Sequence, residues 1–550
     1  MHHSIFGIKF ASTFSYDFVM NKSRAWKDPR TSDGDDDNGR FSKDYNDITN
    51  MTWSNILTYQ TKIKKKHNLD LLVGYEINSK ESDGLGTTIS NFARWDKPEV
   101  NNGVVYQSMG GSNSTTRIVS YITRANYDYD NKYYLGASWR TDGSSRLARE
   151  NRWGNFWSLS GAWRVSSESF MKPLQNWLSD LKLRVSYGVN GTLPSSYYGY
   201  MGLSSLTSNY NDNPGIKQSQ LENKELTWET NYNFNSGIDL GFFDNRLNVT
   251  FEYYVRTTKN LLYSRPLSLA TGFSSYLANI GKLQNKGYEL EIRSTNIETK
   301  DFRWSTSLNL GHNANKILKL DGDLKQVTSG TSIHKVGLPY STYYMIEFAG
   351  IDPADGEPMF YKNTTDENGN LNKETTKDPR SAEKVILQCA DPTITGGLGN
   401  SISYKWFDLN FNVNFSFGAW NYDGSASKLE HGGDGTLNIP IYYRKRWQKE
   451  GDETSIERFV VGRSISMTDY ATTRRLYSGD YVRLKNLTFG FTLPKTWTRK
   501  VGIDNIRLYA SGNNLLTWAT YDYIDPESGS SPSWDTPPMR TYTFGLEVKF

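Results

Sequence analysis

Residues 541–550 (TYTFGLEVKF) place an apolar side chain at every even position and a polar side chain or Gly at every odd one. A strand points successive side chains to opposite faces, so this period of two describes one face suited to hydrocarbon and one suited to water. The scheme recurs. In 181–190 (LKLRVSYGVN), 247–252 (LNVTFE) and 407–418 (FDLNFNVNFSFG) the odd positions are apolar, and the last run is long enough to cross a bilayer as a tilted strand. Over 481–493 the phase slips between Leu484 and Leu487, which predicts a β-bulge.

The links between these runs sort into two kinds. Tight ones fall at Asp130-Asn131-Lys132, at Phe243-Asp244-Asn245-Arg246 and at Tyr404-Lys405. Long ones rich in Gly, Ser, Asn and Asp are expected at 19–50, 80–117, 191–224, 259–282, 313–392, 419–478 and 513–539. Short and long alternate along the chain, as in an up-and-down transmembrane barrel with short turns on the periplasmic rim and long loops outside. The pattern predicts an all-β fold: an antiparallel transmembrane β-barrel with about sixteen strands in this chain. It also predicts a periplasmic C-terminus, with Phe550 in an aromatic girdle.

Composition agrees with that fold. Aromatic residues are 14% of the chain, with 36 Tyr and 16 Trp, yet the mean hydropathy is low at -0.65 and no apolar run is long enough for a membrane helix. The net charge of +4 gives no support to a nucleic-acid partner, and the basic run at 62–66 reads as a solvated turn. Cys389 is the only cysteine, so an intrachain disulfide is excluded. The start at Met1 enters a strand-like pattern directly, without the basic, apolar and small-residue segments of an export signal.

Catalytic and metal motifs are missing from the sequence. There is no HExxH, GxSxG, GxxxxGK or CxxC, the six His are scattered, and Ser425-Ala426-Ser427-Lys428 lacks the companion motifs of an SxxK enzyme. No catalytic residue, metal or cofactor is expected. Asp33-Gly34-Asp35-Asp36-Asp37-Asn38-Gly39 fails the EF-hand spacing and reads as an acidic loop, and Asp352-Pro353-Ala354-Asp355-Gly356 reads as a turn. The loop aromatics Trp95, Trp420, Tyr422 and Trp534 are the candidate substrate contacts, because their flat faces can stack on sugars or peptide side chains; packing between loops is the alternative.

A set of ordered motifs goes beyond generic alternation. Ser138-Trp139-Arg140-Thr141-Asp142-Gly143-Ser144-Ser145-Arg146 is followed by Asn151-Arg152-Trp153-Gly154, Ala162-Trp163-Arg164-Val165-Ser166 and Leu181 to Gly188. Downstream come Leu226-Thr227-Trp228-Glu229, Asn279-Ile280-Gly281, Asn285-Lys286-Gly287-Tyr288-Glu289, Gly350-Ile351-Asp352-Pro353, Gly479 to Asn486 and Gly512-Asn513-Asn514-Leu515. Over residues 118–550 this series resembles the SusC/RagA TonB-linked (TonB-dependent) outer-membrane transporters of Bacteroidetes-type bacteria.

The resemblance implies a 22-stranded barrel around a plug domain, covered by a SusD-like lipoprotein lid and importing glycan oligosaccharides, oligopeptides or other large nutrients with TonB-derived energy. It implies that residues 1–550 are the C-terminal part of such a barrel, with signal peptide, plug and first strands encoded upstream. The expected partners are the SusD-like lipoprotein, the TonB complex through the missing N-terminal part, the barrel assembly machinery through the C-terminal strand, and outer-membrane lipid. Taken alone, such a chain is expected to be a non-energised fragment. Within the motifs, Arg140, Asp142, Arg146, Arg152, Trp153, Arg164 and Phe550 are expected to be structural. A passive porin of about sixteen strands and a glycan-binding surface adhesin are the competing functions.

Overall fold

The structure, a computed structural model, describes residues 2–5, 7–206, 209–211, 213–320, 322, 324–366, 369–433, 438–462, 469–521, 524–528 and 538–550. Strands dominate it, as the alternation predicted. We number the long ones β1 (Ile8–Lys27), β2 (Arg40–Ile63), β3 (His67–Phe92), β4 (Gly103–Tyr129), β5 (Tyr133–Ser144), β6 (Trp153–Arg164), β7 (Leu178–Thr192), β8 (Glu229–Phe242), β9 (Leu247–Lys259), β10 (Lys282–Glu298), β11 (Phe302–Lys319), β12 (Ile394–Tyr404), β13 (Phe407–Phe417), β14 (Tyr481–Thr492), β15 (Asn505–Ala519) and β16 (Thr541–Lys549). Two compact units divide the chain: Met1–Arg164, Arg184–Phe234 and Thr257–Gly281 form the first, and Val165–Leu183, Asn235–Arg256 and Lys282–Phe550 the second.

In the first unit β1 to β6 pair in chain order, each antiparallel to the next. Their apolar positions line up across the ladders, with Phe10 opposite Leu57, Phe14 opposite Trp53 and Tyr16 opposite Met51. All six are exposed. An exposed row of large apolar side chains along a sheet face is what lipid, not water, would accept.

The expectation of long loops at 19–50 and 80–117 is wrong. Most of those residues are strand: β1, β2, β3 and β4 run for 20, 24, 26 and 27 residues, where about 9–11 suffice to cross a bilayer. The apolar alternation of β1 stops near Met20, and Lys22 and Arg24 follow on the same face. Main-chain pairing needs no apolar face. The ladders therefore continue into water where hydropathy patterning falls silent, and Gly84, Gly86, Gly110 and Gly111 look like loop residues while sitting in strands.

The first unit also has a conventional core beside its strands. Leu147 and Leu226 are fully buried with Phe156 and Trp228. Gly154 and Gly191 leave the room: a Cβ at Gly191 would lie 2.2 Å from the Phe156 ring. Trp228 Nε1 donates to the Arg152 carbonyl at 3.1 Å, which fixes the indole over the 145–152 link.

In the second unit β10 to β16 again pair in chain order. The predicted bulge is present: Leu484 and Asn486 pair with Val413 and Asn412, leaving Lys485 without an opposite residue. On the other side Asn514 takes a positive φ of 53° where the β14–β15 register shifts. The tight turns fall where expected, with Asp130, Asn131, Phe243, Asp244, Asn245 and Lys405 all at positive φ. Residue Lys549 pairs with Asn505, so the chain ends beside the 493–504 link.

The long links of this unit hold structure of their own. Gln326–Ser329, Ser332–Lys335, Thr342–Ile346 and Lys384–Cys389 make a four-stranded sheet, and Phe348–Ile351, Pro358–Tyr361 and Thr375–Thr376 a three-stranded one. Met345, Phe360 and Tyr343 are buried within them.

Candidate functional site

The polar face of the second unit is the surface where a solute could be held. Alternation on β9 to β14 directs Glu252, Glu289, Glu291, Asn309, Asn414 and Ser416 to one concavity of about 670 Å³, which Tyr481 also lines. A second concavity of about 320 Å³ takes Arg246, Arg293, Ser307, Asn410 and Asn412. Small residues open both of them. Gly397 stands in the first and Gly399 in the second, where side chains on β12 would otherwise fill the space.

Amides run across the strands as a ladder. Asn412 pairs with Asn486 and Asn486 with Asn513. Asn486 Nδ2 donates to Asn513 Oδ1 at 2.9 Å, and Asn513 Nδ2 donates to Thr541 Oγ1 at 3.2 Å. Thr488 and Ser511 repeat the link one rung on, at 3.0 Å. Each amide offers both donors and acceptors, so the wall can exchange hydrogen bonds with hydroxyl-rich or amide-rich solutes.

One charged pair crosses the same face. Arg507 Nη2 reaches Asp408 Oδ2 at 2.8 Å from β15 to β13, passing over β14. Gly490 is the residue beneath: a Cβ there would lie 2.3 Å from Asp408 Oδ1 and 2.6 Å from Arg507 Nη2. The motif glycine Gly287 works alike, since its missing side chain admits the Tyr254 ring, whose hydroxyl donates to Asn313 at 3.0 Å.

The motif residues of the first unit make contacts within it. Arg140 Nε donates to both oxygens of Asp142 at 2.7 and 2.8 Å, and its Nη2 donates to Ser120 Oγ at 2.9 Å. Arg146 donates to Thr116 Oγ1 and to the Pro194 carbonyl, with its guanidinium 4.4 Å from the Tyr197 ring centre. Trp153 lies against Gly143, where a Cβ would meet its ring at 2.9 Å, and stacks near Tyr121. The Arg164 amide donates to the Lys132 carbonyl, closing the turn before β5. Phe550 is exposed at the chain end.

The loop aromatics that are described belong to different units. Trp95, in the first unit, is half-exposed and carries the Arg30 guanidinium 3.4 Å from its ring centre. Trp420 and Tyr422, in the second, share the short Trp420–Tyr422 strand and join the buried cluster of Tyr343 and Met345. Trp534 lies outside the described residues.

Acidic loops find cations within the protein. Lys377 Nζ sits 2.6 Å from Asp352 and 2.8 Å from Asp355, and its hydrogen bonds hold both carboxyls below the usual range. Arg30 does the same for Asp28, whose pKa is brought to about 2, and Arg40 pairs with Asp37 at 2.7 Å.

Pattern reading missed a buried ionic cluster in the 418–480 link. Glu457 is fully buried, bonded to Arg474 and to the Tyr443 hydroxyl at 2.8 Å, while Glu430 lies 3.4 Å from Arg474 and 3.5 Å from Arg475. Burial opposes ionisation of Glu457, but Arg474 and Tyr443 hold its pKa below the ordinary value. Burial likewise raises the Tyr442 and Tyr443 hydroxyls. The sequence separation of these charges left no periodic signal. Arg483, 2% exposed, meets Asp525 at 2.6 Å and Glu527 at 2.7 Å in the same way.

Residues 5–515 match the model of the family described as TonB dependent receptor-like, beta-barrel. The chain belongs to that family. Members are β-barrel proteins of the outer membrane and are transporters rather than enzymes. The chain is 32% identical to TonB-dependent receptor P3 of Formosa agariphila over 99% of its own length and 56% of that protein's. It is 30% identical to TonB-dependent receptor SusC of Bacteroides thetaiotaomicron over 79% of its length and 44% of SusC. Among solved structures it is similar to the RagAB peptide transporter, with a TM-score of 0.87 at 28% identity over 100% of this chain and 60% of that one. The chain thus spans about half the length of the curated relatives it matches, and the family resemblance carried by the motifs is correct.

Proposed function

We propose that the chain forms the barrel portion of an outer-membrane importer of large nutrients, glycan oligosaccharides or oligopeptides, energised through TonB and covered by a SusD-like lipoprotein. The observation that carries the reading is the amide and hydroxyl wall from Asn412 to Thr541, joined to a match with SusC and with the RagAB peptide transporter. A wall of that chemistry gives a large polar solute many weak, exchangeable hydrogen bonds, which suits passage better than retention. The long links then lie outside the cell, the chain end at Phe550 lies in the periplasm, and β16 is the segment read by the barrel assembly machinery. TonB contact belongs to the N-terminal region of such a protein.

Uptake of labelled oligosaccharides and oligopeptides by cells producing the whole protein tests the reading. Import of one class that stops when the proton gradient collapses is expected. Uptake indifferent to the gradient, with conductance by the isolated chain in planar bilayers, would replace it with a passive pore.

A further inference from the structure

The two concavities of the second unit carry opposite charge and lie along the same strands. Among the described residues, the larger is lined by Glu252, Glu289 and Glu291 and by no Lys, Arg or His, and the smaller by Arg246 and Arg293 and by no Asp or Glu. Register stacks one on the other. Glu289, Glu291 and Arg293 on β10 stand opposite Gly311, Asn309 and Ser307, and these stand opposite Thr395, Gly397 and Gly399 on β12. Acidic rows therefore run into a basic row on one continuous wall.

These charges are not equally engaged. Glu291 and Arg293 form an ion pair with each other, which neutralises the middle of the wall. Among the described residues, the Glu289 carboxylate has no hydrogen-bonded or ionic partner, and the Arg246 guanidinium donates only to the Thr295 and Asn296 carbonyls, at 3.4 Å. One uncompensated anion and one uncompensated cation mark the two ends. The Thr295 amide donates to the Arg246 carbonyl, so Arg246 is level with Thr295 and lies about 20 Å along β10 from Glu289.

We propose that Glu289 and Arg246 read the two charged termini of a short linear peptide, its ammonium at Glu289 and its carboxylate at Arg246. The inference rests on the importer reading above and names the solute class of that wall. A span of about 20 Å matches about six extended residues. Between its termini such a peptide can be uncharged, as is the paired Glu291 and Arg293 stretch it lies over. Its main-chain N–H and C=O groups meet Asn309, Asn412 and Asn414, whose amides both donate and accept. A guanidinium can give a carboxylate two parallel hydrogen bonds, which suits Arg246 to that end. A neutral oligosaccharide brings no charge to either end, and an anionic one sets like charge against Glu289.

Isothermal titration of the purified whole protein in detergent with hexa-alanine tests the site apart from transport. N-acetylation and C-amidation of the peptide should each weaken binding at least fivefold. Glu289→Gln should remove the penalty of acetylation and keep that of amidation, and Arg246→Gln should do the reverse, in barrels that keep their electrophoretic heat-modifiability. Where a variant fails to fold, the parent's response to the blocked peptides decides. Hexa-alanine that does not bind, blocked and free peptides that bind alike, a neutral linear hexasaccharide that binds as tightly, or variants that weaken every peptide equally overturn the proposal. The expected binding pattern without gradient-driven uptake would support the site and overturn the importer reading alone.

Discussion

Asp408 and Arg507 meet at 2.8 Å across an intervening strand, and Gly490 is what lets them. Adding one methyl at Gly490 must push the two side chains off the β14 backbone. Gly490→Ala is expected to cost about 1–3 kcal/mol through overpacking and the lost pair. The loss should appear as a lower thermal unfolding midpoint in detergent. If Gly490→Ala unfolds like the parent while Asp408→Asn does not, the glycine is not the residue that makes room.

Arg483 ties β14 to residues 524–528 through Asp525 and Glu527. Arg483→Met leaves Asp525 half of a buried pair, and breaking such a pair costs about 3–5 kcal/mol. Limited proteolysis should cut near residue 525 first in the variant. Equal cutting rates in both proteins would show that the pair does not anchor this link.

Asp142 is bound by the Arg140 guanidinium and is 8% exposed. Asp142→Ala should therefore lower the yield and stability of folded barrel by about 1–3 kcal/mol. An intact, equally stable barrel that has lost uptake would refute the bracing role and place Asp142 on the solute path.

The Asp352, Asp355 and Lys377 turn should respond to acid. Both carboxyls titrate below their ordinary value of 3.8, so their stabilising contribution is fully present above that value and is lost as pH falls through the lowered folded values. Trp447 Nε1 donates to the Pro353 carbonyl at 3.0 Å, which makes a fluorinated Trp447 a reporter. Its ¹⁹F shift should hold from neutral pH to about 4 and move below that. Lys377→Met should raise the midpoint; an unmoved midpoint would exclude Lys377 as the cause.

Much of this was legible in the sequence because the physics is local. A period of two sets which face of a strand is apolar, so β13, β16 and the inner parts of β7 and β9 could be read directly, and so could the bulge between Leu484 and Leu487. Turn residues such as Asp130-Asn131 tolerate positive φ through their own short side chains. The family followed from motifs whose reasons are now visible in part: Gly143 seats Trp153, and Gly287 seats Tyr254.

By itself, then, the sequence determined the all-β class, the alternation of apolar and polar faces, the order of most strands and turns, and the family. Tertiary structure alone decided where strands continue without an apolar face, as in β1 to β4 beyond Met20, because main-chain pairing leaves no mark on hydropathy. It alone brought Glu457 to Arg474 and Asp408 to Arg507, since partners 17 and 99 residues apart meet only when neighbouring strands and links fold back. It alone decided that β5 pairs with β4 only from Ile118 onward, because where a strand gains a second neighbour is a property of the sheet and not of the strand.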